Sequence, residues 1–228
     1  LRFAAMTAVR EDGDVFSGDV SEFGKSRKIV SFREPVPLVA AITPFNHPLN
    51  QVAHKVAPAI AVGAPIVLKP SEKTPMTAIR FAELLYEAGL PGWMLSVVTG
   101  GIDEIAEPMV RDERVSLLTF TGGTAIGKRI PSKAGYKKLC LELGGNSPLI
   151  VLADADLAAA VRATVSSCLL NSGQTCSAHT RLVVPRARVD EAATLAAAAM
   201  AGMNVGPALA AGSNDKIAAA DWRYWQEK

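Results

Sequence analysis

The sequence is sparing in the features that mark several protein classes. It has three cysteines in 228 residues. That odd number, with no close pairing, gives neither a disulfide framework nor a zinc-type ligand spacing. Thiols used this rarely fit a reducing compartment, where each is core filling or chemistry. No sign of charge dominates: 24 Lys and Arg stand against 22 Asp and Glu, without the clustered basic surplus of a nucleic-acid coat. Uninterrupted apolar runs of about 18 residues are missing, so no membrane span is expected. The run from Val56 to Leu68 comes nearest and is broken by Pro58, Gly63 and Pro65. The start does not read as a signal peptide, because Arg10, Glu11 and Asp12 stand where a small-residue cleavage site belongs. A soluble, cytoplasmic protein with no membrane or nucleic-acid partner is expected. Its length and 49% hydrophobic content suffice for one large or two modest cores.

From Pro37 to Leu143 short apolar runs alternate with helix-length segments. Strands are predicted at Pro37–Thr43, Pro65–Lys69, Met94–Val98, Val115–Phe120 and Leu139–Leu143. Helices are predicted at Pro48–Val62, from Pro75 to Gly89 behind a Thr74 cap, at Ile102–Val110 and at Thr124–Lys133. Strands alternating with helices stack as right-handed βαβ units. The fold class predicted is α/β: a Rossmann-like parallel sheet with helices on both faces. After Gly144-Gly145 the texture changes. A strand at Pro148–Leu152, a helix at Asp154–Leu170, a strand at Arg181–Pro185 and an alanine-rich helix at Val189–Met203 belong to part of a second α/β domain. The predicted division is 1–143 and 144–228. A small-residue linker is expected at Gly206–Ser213, ahead of an aromatic cluster at Trp222, Tyr224 and Trp225.

Four local signals could carry chemistry. GGTAIG (Gly122–Gly127) lies between a predicted strand and helix, where backbone N–H groups either receive phosphate or close a tight turn. KPSEKTP (Lys69–Pro75) ends another strand, which places Lys69 and Glu72 to reach ribose hydroxyls or simply to open a helix. SGQTCSA (Ser172–Ala178) puts Cys176 on a small polar loop, as a nucleophile would be. Cys140 and Cys168 fall in apolar patterns and are expected in the core. In LELGGNSP, Glu142 ends a strand either as a general base or as a solvated acid. No metal site is predicted.

Taken in order, ITPFNHPLN, KPSEKTP, FTGGTAIG, LELGGNSP and GQTCSA resemble the aldehyde dehydrogenase superfamily from about Arg33 to Val205. The resemblance implies oxidation of an aldehyde to a carboxylic acid with NAD, NADP being possible as well. Cys176 would be the nucleophile, Asn46 and the Cys176 backbone N–H the oxyanion hole, and Glu142 the base that activates water on the thioester. Thr43, Pro44, Lys69, Glu72, Gly122, Gly123 and Thr124 would bind the cofactor. A carboxylate at Glu72, near the ribose 2′ position, favours NAD. Residues 1–143 would then be a partial NAD(P)-binding domain and residues 144–228 a partial catalytic domain.

His47 in the asparagine motif, the FTGG variant and AGYKK (Ala134–Lys138) look most like the phosphonoacetaldehyde branch, whose substrates are small anionic aldehydes. Thr175 departs from it, because a phosphonate binder would carry arginine there. Family members run to roughly twice this length. The resemblance therefore implies the central portion of a longer protein, a homo-oligomer in its full form. The competing expectation is a degenerate, non-catalytic relative that binds nucleotide or serves structurally. The presence of Asn46, Glu142 and Cys176 together argues for the enzyme.

Overall fold

Among the described residues before position 37, almost nothing is buried. The computed structural model describes residues 1–10, 13–203 and 206. There, a short helix α1 (Arg2–Ala8) precedes an antiparallel hairpin of β1 (Val15–Ser17) and β2 (Lys28–Val30), both strands exposed throughout. The sequence reading assigned no elements to this stretch. Strands of three residues with no buried face lack the alternation that reveals a strand.

The predicted alternation then follows: β3 (Val39–Ile42), α2 (Pro48–Ala61), β4 (Ile66–Lys69), α3 (Pro75–Glu87) and β5 (Leu95–Val97). A π-helical turn (Ile102–Ala106) runs into α4 (Glu107–Arg111), followed by β6 (Leu117–Thr121), α5 (Thr124–Gly127), α6 (Pro131–Ala134) and β7 (Lys138–Glu142). The five strands make one sheet in the order β5-β4-β3-β6-β7, every pair parallel. Val39 and Ala41 face a core built with Val52 and Val56 of α2 and Ala78 and Ala82 of α3. Ala40 and Ile42 face the opposite core, with Met109 and Val110 of α4, Ile130 just ahead of α6 and Ala134 at its end. The period of two along one strand thus feeds two helix layers, the form expected of a doubly wound sheet. Burying a side chain such as Leu68 or Leu118 contributes about 1.5–3 kcal/mol.

Two predicted helices are corrected. The segment 102–110 is not one α-helix. Pro108 has no N–H to offer, and the turn before it widens, with the Glu107 N–H bonded to the Ile102 carbonyl. The segment 124–133 is two short helices, because Pro131 cannot donate to the Gly127 carbonyl and instead opens α6. After α3, Gly89 adopts φ +94°, the left-handed conformation that ends a helix.

The chain divides into two compact units, Leu1–Leu143 and a second beginning at Gly144. In the second, β8 (Ser147–Ile150) pairs in parallel with β9 (His179–Val183). Helices α7 (Leu157–Leu169) and α8 (Val189–Ala201) share a core around Leu157, Val161, Val165 and Ala192. Asp156 caps α7, its carboxylate accepting the Ala159 N–H at 3.0 Å. The expected linker, apart from Gly206, and the aromatic cluster lie outside the described residues. Among the described residues no helix is long and apolar enough to cross a membrane.

Candidate active site

The connections of the sheet create a crevice. β3 and β6 lie side by side in the middle, with Ile42 opposite Phe120. The chain leaves β3 toward β4 and leaves β6 toward β7. Their loops therefore diverge at the carboxyl edge, where open α/β sheets bind ligands. Thr43 stands there, 4% exposed, its N–H bonded to the Lys69 carbonyl at 3.1 Å. Its hydroxyl has no partner among the described residues. A buried orphan hydroxyl at this position fits a polar ligand group. Pro44 and Asn46 follow on the same loop, both half-buried.

Across the crevice, the Gly122 N–H extends the ladder to the Glu142 carbonyl at 3.1 Å. A Cβ on Gly122 would meet the Phe120 ring at 2.6 Å, whereas one on Gly123 would meet nothing within 4 Å. Gly122 is thus fixed by packing, and Gly123 borders open space beside exposed Thr124. The residues present fit a dinucleotide laid along this edge.

At the end of β4, Lys69 is 3% exposed and its Nζ lies 2.7 Å from a Glu72 carboxylate oxygen. The Lys69 hydrogen bond holds the Glu72 carboxyl below the ordinary glutamate value, against the opposing effect of burial. Lys73 does not compete for that carboxylate. Its ammonium sits 4.6 Å from the centre of the Phe45 ring, which links this loop to the one bearing Asn46.

Glu142 ends β7, the edge strand, whose residues alternate in exposure. Lys138, Cys140 and Glu142 share the exposed face, and Leu139 and Leu141 pack inward. Cys140 is therefore not the core residue the sequence suggested, while Cys168 is half-buried and Cys176 exposed. On the same face, Lys55 of α2 is 7% exposed and donates to Thr119 Oγ1 at 2.7 Å. Burial holds its ammonium below the ordinary lysine value, and negative charge on Cys140 and Glu142 works against that. Sequence reasoning passed over Lys55. Its signal was a lysine on the apolar stripe of Val52, Val56 and Ala59.

Cys176 belongs to the second unit. Beyond α7, Asn171 (φ 52°), Ser172 (φ 62°) and Gly173 (φ 70°) wind left-handed in succession. The Gln174 N–H then bonds the Asn171 carbonyl, and the Ala178 N–H bonds the Thr175 carbonyl in the turn that presents Cys176. Gly145 lies against this turn: a Cβ there would come within 2.3 Å of the Cys176 carbonyl oxygen. Thr43, Pro44, Asn46, Lys69, Glu72, Gly122, Gly123, Thr124 and Glu142 thus gather at one sheet edge of the first unit, and Cys176 is displayed by the second. Among the described residues no three His, Cys, Asp or Glu side chains converge as a metal site.

The sequence matches the Aldehyde dehydrogenase family over residues 1–216. Mitochondrial succinate-semialdehyde dehydrogenase of Arabidopsis thaliana is 41% identical over 208 residues, covering 90% of this chain and 39% of its own length. A mutant of aldehyde dehydrogenase C from Pseudomonas syringae, in complex with NAD+ and octanal, is similar with a TM-score of 0.76 and 42% identity. That likeness covers 78% of this chain and 37% of the other. The NADP-dependent glyceraldehyde-3-phosphate dehydrogenase of Bacillus halodurans C-125, complexed with NADP, gives a TM-score of 0.86 at 37% identity, over 90% of this chain and 43% of that one. The chain spans about two fifths of the length of the curated relatives it matches.

Proposed function

The chain belongs to the aldehyde dehydrogenase family, and from that premise we propose that it carries the working centre of an NAD(P)-dependent oxidation of an aldehyde to a carboxylic acid. One observation carries this reading furthest. Asn46, Lys69, Gly122 and Glu142 all stand at or just beyond the carboxyl ends of parallel strands in one sheet.

On this reading residues 1–143 are the cofactor-binding domain and the unit from Gly144 begins the catalytic domain. Lys69 and Glu72 hold the adenosine ribose, with Thr43 and Pro44 on one side of the crevice and Gly122, Gly123 and Thr124 at the pyrophosphate. The nicotinamide, when bound, supplies the hydride acceptor. Cys176 attacks the aldehyde carbon, and the new oxyanion is held by the Asn46 amide and the Cys176 N–H. After oxidation the acyl group is a thioester on Cys176. Glu142 takes a proton from water, which attacks that thioester and releases the acid.

Glu72 turns half its surface outward, and its charge disfavours a ribose 2′-phosphate, which points to NAD before NADP. The Arabidopsis relative is named for a semialdehyde carrying a carboxylate, which supports a small anionic aldehyde here. Three free thiols fit a reducing, cytoplasmic setting, and the full-length form is proposed to be a homo-oligomer.

The test is NADH formation with succinate semialdehyde as probe. One carboxylate is expected per NADH, and Cys176→Ser abolishes both. Sustained turnover by that variant would overturn the assignment.

A further inference from the structure

The second unit holds a cavity that the proposed reaction does not use. It lies between α7, α8 and β9, has a volume of about 160 Å³, and is walled by Val161, Val165, Leu182, Ala196 and Met200. Val161 and Val165 are buried, while Met200, whose unbranched side chain repacks readily, is exposed. Most polar groups on the wall already have partners. Thr164 Oγ1 donates to the Ala160 carbonyl at 2.9 Å, and the Thr180 hydroxyl donates to Asn146 Oδ1. The Cys168 thiol, also on the wall, is a weak hydrogen-bonding group. His179 is the exception. Its backbone N–H donates to Ser167 Oγ at 3.3 Å, which ties the start of β9 to α7. Its side-chain Nδ1 is buried and has no partner among the described residues. A polar nitrogen left in this state costs stability unless a water, an ion or a ligand reaches it.

We propose that this cavity binds a small, neutral, largely apolar molecule about the size of a benzene ring, whose single hydroxyl pairs with His179 Nδ1. The size follows from the volume, since an apolar cavity of about 150 Å³ stays dry and takes up benzene. The hydroxyl follows from the imidazole. A group that both donates and accepts satisfies Nδ1 in either tautomer. A carboxylate would need a protonated His179, and two charges would then be buried among Val161, Val165 and Leu182. A lone water is a poor occupant, because it needs two to four polar partners and the neighbouring hydroxyls are already engaged. The site stands apart from the oxidation proposed above, which uses none of these wall residues.

The experiment titrates the full 228-residue chain, labelled with ¹⁵N and with ¹³C at the methionine methyls, with phenol and separately with toluene. Phenol should shift the Met200 methyl and the His179 Nδ1 resonances saturably, with one Kd for both. Toluene should shift the methyl and leave Nδ1 nearly unmoved. His179→Leu should weaken phenol at least about fivefold, because its hydroxyl is then buried unpaired, and should leave toluene unchanged or tighter. A Met200 methyl that does not saturate means that the cavity is closed or already filled by water or protein, and overturns the proposal. A phenol Kd unchanged in His179→Leu overturns it as well. Should that variant lose its helical circular-dichroism signal, the wild-type contrast at Nδ1 decides, and equal shifts from phenol and toluene overturn the proposal. No turnover is measured, so a negative result leaves the dehydrogenase reading standing, and an inactive enzyme leaves this site standing.

Discussion

Lys69 Nζ and a Glu72 carboxylate oxygen meet at 2.7 Å, the lysine wholly enclosed and the glutamate half in water. The buried partner fixes the direction of the exposed one. Glu72→Gln keeps a hydrogen-bond acceptor for Lys69 and removes the outward charge. It should relax the preference for NAD over NADP, measured as the ratio of the two Kd values. An unchanged ratio takes Glu72 out of the site.

The order of events at Glu142 and Cys176 is open to kinetics in a form of the protein that turns over. Glu142→Gln should allow the first hydride transfer and stall the thioester. The expected trace is a burst of about one NADH per site, then a steady state slowed about 10²–10⁴-fold. Cys176→Ser should abolish the burst, since an alcohol is a far weaker nucleophile. Equal loss from both phases in Glu142→Gln would move its role ahead of hydride transfer.

Lys55 makes stability depend on pH. Burial lowers its folded value, so the unfolded chain binds the extra proton as pH climbs toward the ordinary lysine value of 10.5. Stability therefore rises with pH in that window, and below it the full penalty of a buried charge applies. Lys55→Met should melt above the wild type at neutral pH, by about 2–4 °C for each kcal/mol recovered. The gap should close as pH approaches 10.5. A gap constant with pH would mean that packing, not charge, sets it.

Gly145 tests the turn that displays Cys176. The 2.3 Å approach of an added Cβ to the Cys176 carbonyl forces backbone to shift. Gly145→Ala should lower aldehyde turnover by at least about tenfold, since misplacement by 1 Å at a reacting centre is worth about 10²-fold. The Kd for NAD should stay as it was. Unchanged turnover would show that the turn yields without moving the sulfur.

The sheet was legible because its strands are buried. Val39–Ile42 and Ile66–Lys69 lie in apolar runs, and Pro75 and Gly89 bracket α3, whereas the Thr74 side chain, expected to cap it, makes no capping hydrogen bond. Cys140 was misread for the complementary reason. Leu139 and Leu141 made its neighbourhood look apolar, but strict alternation with Lys138 and Glu142 sets it on the polar face. Proline decided both broken helices, through a missing N–H at Pro108 and Pro131. Lys55 needed tertiary context, because only the packing of α2 on the sheet brings it to Thr119. The left-handed residues before Cys176 left little trace, since Asn171 and Ser172 are not glycine.

That left-handed run has a bearing on how the molecule breathes. A non-glycine residue wound this way gives up about 1–2 kcal/mol relative to the right-handed form. Asn171 and Ser172 do so side by side, at the end of α7. The segment from Leu170 to Ala178 is therefore a wound spring, and release is easier there than in the helix it follows. Its amide protons should exchange with deuterium well before those of Val161 and Val165, on time scales set by local opening rather than by global unfolding.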